Sequence, residues 1–456
     1  MAISVGLNTA MRALLTQQAA MDVTSHNVAN LNTIGYTRQR AHLEAVSPVG
    51  MPPVGGGVEI QSVERVRDLF MDLQLRMESS AEGSFRVQAD SLALAEVSLG
   101  EPNEGGIRQL MSSFFNAWRD LANAPEESAA RQAVIQTGSS FSLAAQRVDR
   151  TFNALRDDAN DRVALLVDEV NTIGSEIAAL NSQIMTLRVT GDAASDLTDR
   201  RDLALDRLAQ ISDIHYVERD NGTVDIYIAG RALVSGNVSN QLYVDPDIAN
   251  SNYFDVKWTA DNSLAQFSSG EIQGLLIQRD TDLPSRIADF NTFVAQIVTD
   301  VNAVHAAGFG ADGIATGNNF FSGTDATDVL VDAAIVAAPT LLAAATLPAA
   351  PGDSSNAHAI ADLQFAQNLS AGTQSYEAFY GGLVTTLGTD ARDTRAVAES
   401  QQLLLAQIDG FRQSVSGVNL DEEMVQMVQY QRAYEAASQI IRKIDEMLDQ
   451  LINRTI

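Results

Sequence analysis

The 456-residue sequence contains no cysteine. That excludes a disulfide scaffold, a cysteine-ligated zinc or iron–sulfur centre and a cysteine nucleophile, and it leaves both the cytosol and the cell exterior open. Positive charge is scarce: 30 basic residues face 58 acidic ones, a formal charge of −28, and Lys257 and Lys443 are the only lysines. Such a balance speaks against binding nucleic acid or an anionic membrane surface. Aromatic residues are only 6% of the chain, which is low for several dense cores. Long hydrophobic runs are missing too. The longest uncharged, mostly apolar stretch, 333–351, is alanine-rich and interrupted by Pro339, Pro348 and Pro351, so it does not read as a membrane span. The N-terminus lacks the basic region and continuous apolar core of a cleaved secretory signal. Its first charge is Arg12, and Gln17 and Gln18 break the apolar run beyond it. If this protein leaves the cell, the usual cleaved signal does not take it.

The length suggests two to four domains at roughly 150 residues each. Charge is unevenly distributed among them. Residues 1–67 carry a net +1 and residues 400–456 a net −3, leaving −26 for the middle. Near-neutral ends can pack against one another or against further copies, whereas a strongly charged middle belongs in water.

Residues 4–30 read as an amphipathic helix. Leu7, Met11, Leu14, Gln18, Met21, Ser25 and Val28 alternate at spacings of four and three, a heptad seam flanked by Ala10, Ala13, Ala19 and Ala20. Asparagine, threonine and glycine at 30–35 end it, and the Pro/Gly-rich stretch 48–57 predicts an extended loop. Helical spacing then recurs over 85–99, 106–121, 126–151, a coiled-coil-like run 152–189, and 197–211. The period changes at 212. Strands are expected at 215–219, 223–229, 231–234, 241–244 and 254–258, with Asn221-Gly222 suited to a type I′ hairpin turn. Helix returns over 283–306, residues 308–357 look irregular, and 376–387 and 391–414 are helical. Near the end, Leu420, Met424, Met427, Gln431, Tyr434, Ser438, Ile441, Asp445, Leu448 and Ile452 again alternate four and three. Ala437, Ile440, Ile444, Met447 and Leu451 widen that stripe beyond what one partner helix would cover.

Candidate chemistry is thin. Gly308-Phe-Gly-Ala-Asp-Gly313 matches a dinucleotide-binding glycine pattern, but a helix precedes it where a strand is required, so it reads as a loop. His26, His42, His215, His305 and His358 lack metal-ligand spacing and read as surface or capping residues. Asp421-Glu422-Glu423, just after Asn419, suits the start of the last helix, where carboxylates favour the macrodipole. No catalytic, cofactor-binding or metal residue is assigned.

The two ends are more specific. Asn27-Val-Ala-Asn30-Leu-Asn32-Thr33-Ile-Gly35-Tyr36-Thr-Arg-Gln39 resembles the signature of the bacterial flagellar rod, hook and hook-associated superfamily. Gln431-Arg-Ala-Tyr-Glu-Ala436 and Asp445-Glu-Met-Leu448 resemble its final helix. Ser416–Met424, Asp199-Arg-Arg-Asp202, Gly230–Val234, Gly274-Leu-Leu276 and the stretch 302–321 are similar to the hook-associated protein 1 family of the hook–filament junction.

The resemblance implies a mainly α fold with a small β insertion. Paired N- and C-terminal helices (1–65 with 400–456) would form a coiled-coil inner tube, a helical bundle (66–211 with 273–399) would surround it, and a small β domain (212–272) would point outward. An extra outer domain between 321 and 362 is not expected, for want of room. It also implies a non-enzymatic adaptor at the hook–filament junction, exported by the flagellar type III route to the extracellular flagellum. Its partners would be further copies of itself, the hook protein, the third hook-associated protein and a dedicated export chaperone at the C-terminal helix, with no nucleic acid, membrane, cofactor or small-molecule substrate. The rival readings are another axial protein (rod, hook, flagellin or third hook-associated protein) and an axial protein with an enzyme domain.

Overall fold

Long helices dominate because apolar residues recur every three or four positions over most of the chain. The computed structural model describes residues 2–47, 55–101, 105–191 and 193–453. Helix α1 (Ala2–Ala29) is followed by a turn in which Gly35 adopts φ 79°. The chain then forms an antiparallel hairpin of β1 (Gln39–Ala45) and β2 (Val58–Arg65), with a bulge between His42 and Leu43. The sequence reading did not assign these two strands, although Ala41, Leu43 and Ala45 and then Val58 and Ile60 alternate with polar residues. Of the predicted loop 48–57, residues 48–54 lie outside the described residues. The hairpin lies along α1, where the Thr16 hydroxyl donates to the Val58 carbonyl at 2.9 Å.

Helix α2 (Leu69–Leu99) starts on Asp68, whose carboxylate accepts from the Phe70 and Met71 amides, and ends on left-handed Gly100. The sequence reading recognised only its second half. Then come α3 (Ile107–Asn123) and α4 (Ser128–Val189), a helix of 62 residues and thus about 93 Å long. The expected break at 151/152 does not occur: no proline or capping residue interrupts the ladder there, and Val148 and Phe152 are both core residues. Two glycines inside α4 mark close approaches. A Cβ at Gly138 would lie 2.8 Å from the Phe320 ring, and one at Gly174 would lie 3.0 Å from Ser239 Oγ.

After α5 (Ser195–Ile211) come β3 (His215–Glu218), β4 (Val224–Ile228), β5 (Arg231–Ser235) and β6 (Val238–Ser239), an antiparallel sheet in chain order. A second hairpin pairs β7 (Leu242–Asp247) with β8 (Tyr253–Trp258). The β3–β4 turn is not type I′. That form needs positive φ at both central residues, and at this turn only Gly222 has it (φ 84°), while Asn221 Oδ1 instead accepts from the Thr223 amide and hydroxyl.

Helix α6 (Gly270–Ile277) passes through a π-helical turn into α7 (Leu283–Ala307). Residues 308–357 are mostly irregular, as expected, with β9 (Phe321–Ser322), β10 (Leu330–Val331) and α8 (Ala333–Ala337) within them. The chain closes with α9 (Ser355–Asp362), α10 (Tyr376–Ser416) and α11 (Leu420–Asn453). Helix α10 runs unbroken through 388–390 and through residue 400, where the sequence reading placed a helix gap and a domain boundary.

Two large apolar clusters fill the body. The first joins α2, α3, the first half of α4, α7, residues 320–361 and the start of α10, around tilted and edge-on rings of Phe114, Phe115, Trp118, Phe320 and Phe321. Concentrating so many of the few aromatics there explains how a chain poor in them builds a dense core. The second lies between the other half of α4, α5, α6 and the inner sides of the strands, including Ile226, Leu233 and Trp258. The strands therefore share their core with the helices.

Candidate functional site

The sequence signature after α1 folds into a polar knot around Asn27. Its side chain is buried and all four of its hydrogen-bonding positions are used. Oδ1 accepts from the Tyr36 hydroxyl at 2.8 Å and from the Gln39 amide at 2.9 Å, while Nδ2 donates to the Gln39 carbonyl at 2.8 Å and to Glu423 Oε2 at 3.0 Å. Among short side chains only asparagine offers two donor hydrogens beside a carbonyl oxygen with two acceptor positions. Since the Tyr36 hydroxyl gives its proton to Asn27, its oxygen accepts from His26 Nδ1 at 3.0 Å. Burial, then Asp196, Asp199 and Glu423, hold the Tyr36 phenol well above its ordinary range, so it stays a donor. Asn30 and Thr33 build the turn: Asn30 Nδ2 donates to the His26 carbonyl and its Oδ1 accepts from the Thr33 hydroxyl. Asn32 and Gly35 are exposed in that turn.

Glu423 comes from the first turn of α11. It is fully buried, and its other oxygen meets Arg38 Nε at 2.7 Å, while Arg38 Nη1 reaches Glu422 at 2.7 Å. The acidic start of α11 therefore does more than suit the helix dipole: it fastens the C-terminal helix to the N-terminal signature. Arg38 and Glu423 were missed as site residues, because pairing between chain ends leaves no periodic signal.

From this knot α1 and α11 run antiparallel. Asn27 bonds Glu423, and a Cβ at Gly6 would touch Ile444 Cδ1 at 3.5 Å, so the two contacts are twenty-one residues apart on both helices. The buried face of α1 carries small residues, Ala10, Ala20 and Thr24, and that of α11 carries Ala437 and Ile444. Small residues let the helix backbones approach closely.

The heptad seam read from the sequence therefore straddles the edge of this contact. On α1, Leu7, Met11 and Gln18 are exposed and Leu14, Met21 and Val28 half-buried. On α11, Leu420, Met424 and Gln431 are exposed, whereas Met427, Tyr434, Ile441 and Leu448 are half-buried along its inner edge. The side chain of Ile452 lies outside those described. Met11 is 50% exposed and Met424 49%, with Leu15 exposed near the first and Val425 and Val428 near the second, so each helix leaves large apolar side chains in water.

Elsewhere the chemistry is structural. Gly308–Gly313 forms a loop pinned to the backbone of 340–349, through Phe309 to Ala345 and Ala311 to Thr340. His305 is not a surface or capping residue: it is buried against Trp118 and Phe320. Its Nε2 accepts from the Ala343 amide at 3.0 Å, which places the ring proton on Nδ1, donated to the Asn318 carbonyl at 2.6 Å. With both nitrogens satisfied by backbone, the neutral ring is at home there, and burial depresses its pKa to about 4. Among the described residues no group of three or more His, Cys, Asp or Glu is placed to hold a metal ion, and no helix is long and apolar enough to cross a membrane.

Comparison with known proteins gives this architecture its place. The family model for the flagellar hook-associated protein FlgK helical domain matches residues 92–321. Models of the flagella basal body rod protein and of the flagellar basal body rod FlgEFG protein C-terminal region match residues 7–37 and 412–454, the two ends joined at Asn27 and Glu423. The chain is 29% identical to flagellar hook-associated protein 1 of Bacillus subtilis, over 98% of both chains. It is 27% identical to that of Escherichia coli, over 98% of this chain and 99% of the other. The solved flagellar hook junction protein FlgK from Burkholderia pseudomallei has the same fold, with a TM-score of 0.64 over 75% of this chain and all of that one, at 17% identity. The chain belongs to the flagellar hook-associated protein FlgK family, structural proteins of the hook–filament junction of the bacterial flagellum.

Proposed function

We propose that the chain acts at the junction through its terminal helices, as a non-enzymatic adaptor, and that the outer apolar face of α1 and α11 is where neighbouring subunits dock. The observation that carries this is the unpartnered stripe itself. Leu7, Met11 and Leu15 on α1, with Leu420, Met424 and Val425 on α11, stay exposed although the same helices already pack together on their small-residue faces. Leaving so many large apolar side chains in water is costly, and packing against another subunit relieves it. Leu14, Met21, Val28, Met427, Tyr434, Ile441 and Leu448 would border that interface, with Gln18 and Gln431 fixing register within it. Ile452 would extend it.

In this reading the terminal unit (1–65 with α11) assembles, the helical body (66–211 with 273–416) supports it, and the β region (212–272) faces outward. The partners are further copies of this chain, the hook protein, the third hook-associated protein and, before export, a chaperone covering the exposed face of α11. Export to the cell exterior proceeds through the flagellar type III route. Deletion of residues 425–456 tests the proposal: the truncated chain should keep a folded body but fail to enter the junction in cells. Normal motility with the truncated chain would overturn it.

A further inference from the structure

The terminal unit is attached to the body in an unusual way. Its two covalent links, residues 66–68 before α2 and 417–419 after α10, are each three non-helical residues long. Among the described residues, none of the apolar clusters includes a member from 2–67 or 400–453. The turn glycine Gly35 touches Leu203, but no shared core holds the two parts together.

What spans the joint is one face of α5. Asp196, Asp199, Asp202 and Asp206 recur at spacings of three, three and four, so they form a line along the helix. Asp199 accepts from the Thr37 amide at 2.9 Å and from Arg65 at 2.8 Å. Asp202 receives Arg65 at 2.6 Å and also Arg67, whose guanidinium holds Asp72 of α2 at 2.7 and 2.8 Å. Asp206 receives Arg76 of α2 at 2.7 Å and Arg412 of α10 at 2.8 Å. At the outer end Gln39 reaches Asp196 at 3.1 Å. Four arginines and the carboxylates of Asp72, Asp199, Asp202 and Asp206 thus meet with no net charge, and each of the eight side chains is less than a quarter exposed. Burial would raise the Asp202 pKa, but Arg67, Arg65 and Arg76 together hold it below the usual carboxylate range, so it stays ionised.

We infer that the carboxylate line of α5 is an orientation lock: it seats the segment 37–67 in one register and thereby fixes the angle of the terminal helix pair to the body. An apolar joint would tolerate sliding, since burial is non-directional. Bidentate and paired guanidinium–carboxylate contacts are directional. A swing about the short connectors would strand half-buried charges without partners, which is strongly unfavourable. The lock lies away from the outer apolar face of α1 and α11, and it acts in the isolated chain, before any assembly.

The chain has no cysteine of its own, so a pair of introduced cysteines carries spin labels uniquely. Ser25→Cys on α1 and Ser175→Cys on α4, both exposed, place one label on each side of the joint. With the lock intact, pulsed dipolar spectroscopy on the full monomeric chain should give one narrow distance population. Asp202→Asn should at least double the width of that distribution or add a second population, while helix content and the melting of the body stay unchanged. Arg65→Gln, which removes the guanidinium that bridges Asp199 and Asp202 from the terminal side, should broaden the distribution likewise and serves as the deciding variant if Asp202→Asn loses helix content. A single narrow population in Arg65→Gln, and in Asp202→Asn wherever it folds, would overturn the lock.

Discussion

Asn27 and Glu423 stand 396 residues apart in sequence, yet the Asn27 side-chain amide donates to the Glu423 carboxylate at 3.0 Å in a buried site. That bond, with Arg38 on the other carboxylate oxygen, ties the first helix of the chain to the last at the root of the terminal pair.

Asn27→Ala should loosen this root without harming the body. It strands the Gln39 amide and carbonyl and removes one partner of Glu423, a loss of about 3 kcal/mol for buried polar groups. Hydrogen exchange should accelerate about a hundredfold for amides of α1 and the start of α11 while α3 keeps its protection. Unchanged exchange at the ends would show that the knot contributes nothing to holding them.

Met11→Asp separates assembly from folding. Its side chain is half in water in the single chain, so the monomer melting curve should shift by no more than about 0.5 kcal/mol equivalent. Docked against an apolar neighbour, the carboxylate would lose hydration without a partner, so incorporation into hooks should fail. A large drop in monomer stability would place Met11 in an intramolecular contact.

Ala20→Leu probes the inner seam. Ala20 is 1% exposed between α1 and its surroundings, and overpacking there should cost about 1–3 kcal/mol. Limited proteolysis should then cut within α1 while the body survives. Resistance equal to that of the unaltered chain would mean that the helices do not approach as closely as described.

His305 gives the body an acid sensitivity. Its ordinary pKa of 6.5 falls to about 4 on burial, although the hydrogen bond to Asn318 opposes this. Between those values the unfolded chain binds a proton that the folded chain refuses. The contribution is therefore complete above about pH 6.5 and declines as pH drops towards 4, by roughly 3 kcal/mol in total. His305→Gln should be less stable at pH 7 but show a flatter decline over that window in urea unfolding. Parallel pH profiles for the two proteins would rule out a buried neutral histidine.

Long apolar periodicity made α1, α4, α7 and α11 readable from the sequence, and the change to period two exposed the strands of 212–272. The hairpin of β1 and β2 was passed over although its side chains alternate, because its apolar positions are short runs of Ala, Leu, Val and Ile on either side of the Pro/Gly-rich loop. The inner face of the terminal pair was hidden for another reason: large residues attract attention in a seam, while the contact is made by Ala10, Ala20 and Ala437, which leave Leu7, Met11 and Met424 free. Motif resemblance located Asn27 and Tyr36, but only the folded chain reveals that Asn27 is satisfied by Glu423 and that Asp199 and Asp202 serve the joint.

The most direct test is electron cryo-microscopy of isolated hooks with their junction attached. The account predicts that the outer faces of α1 and α11, at Met11, Leu15, Met424 and Val425, lie within van der Waals contact of neighbouring subunits all around the junction. Density placing those side chains in open solvent, with neighbouring subunits meeting only through the helical body or the strands, would contradict it.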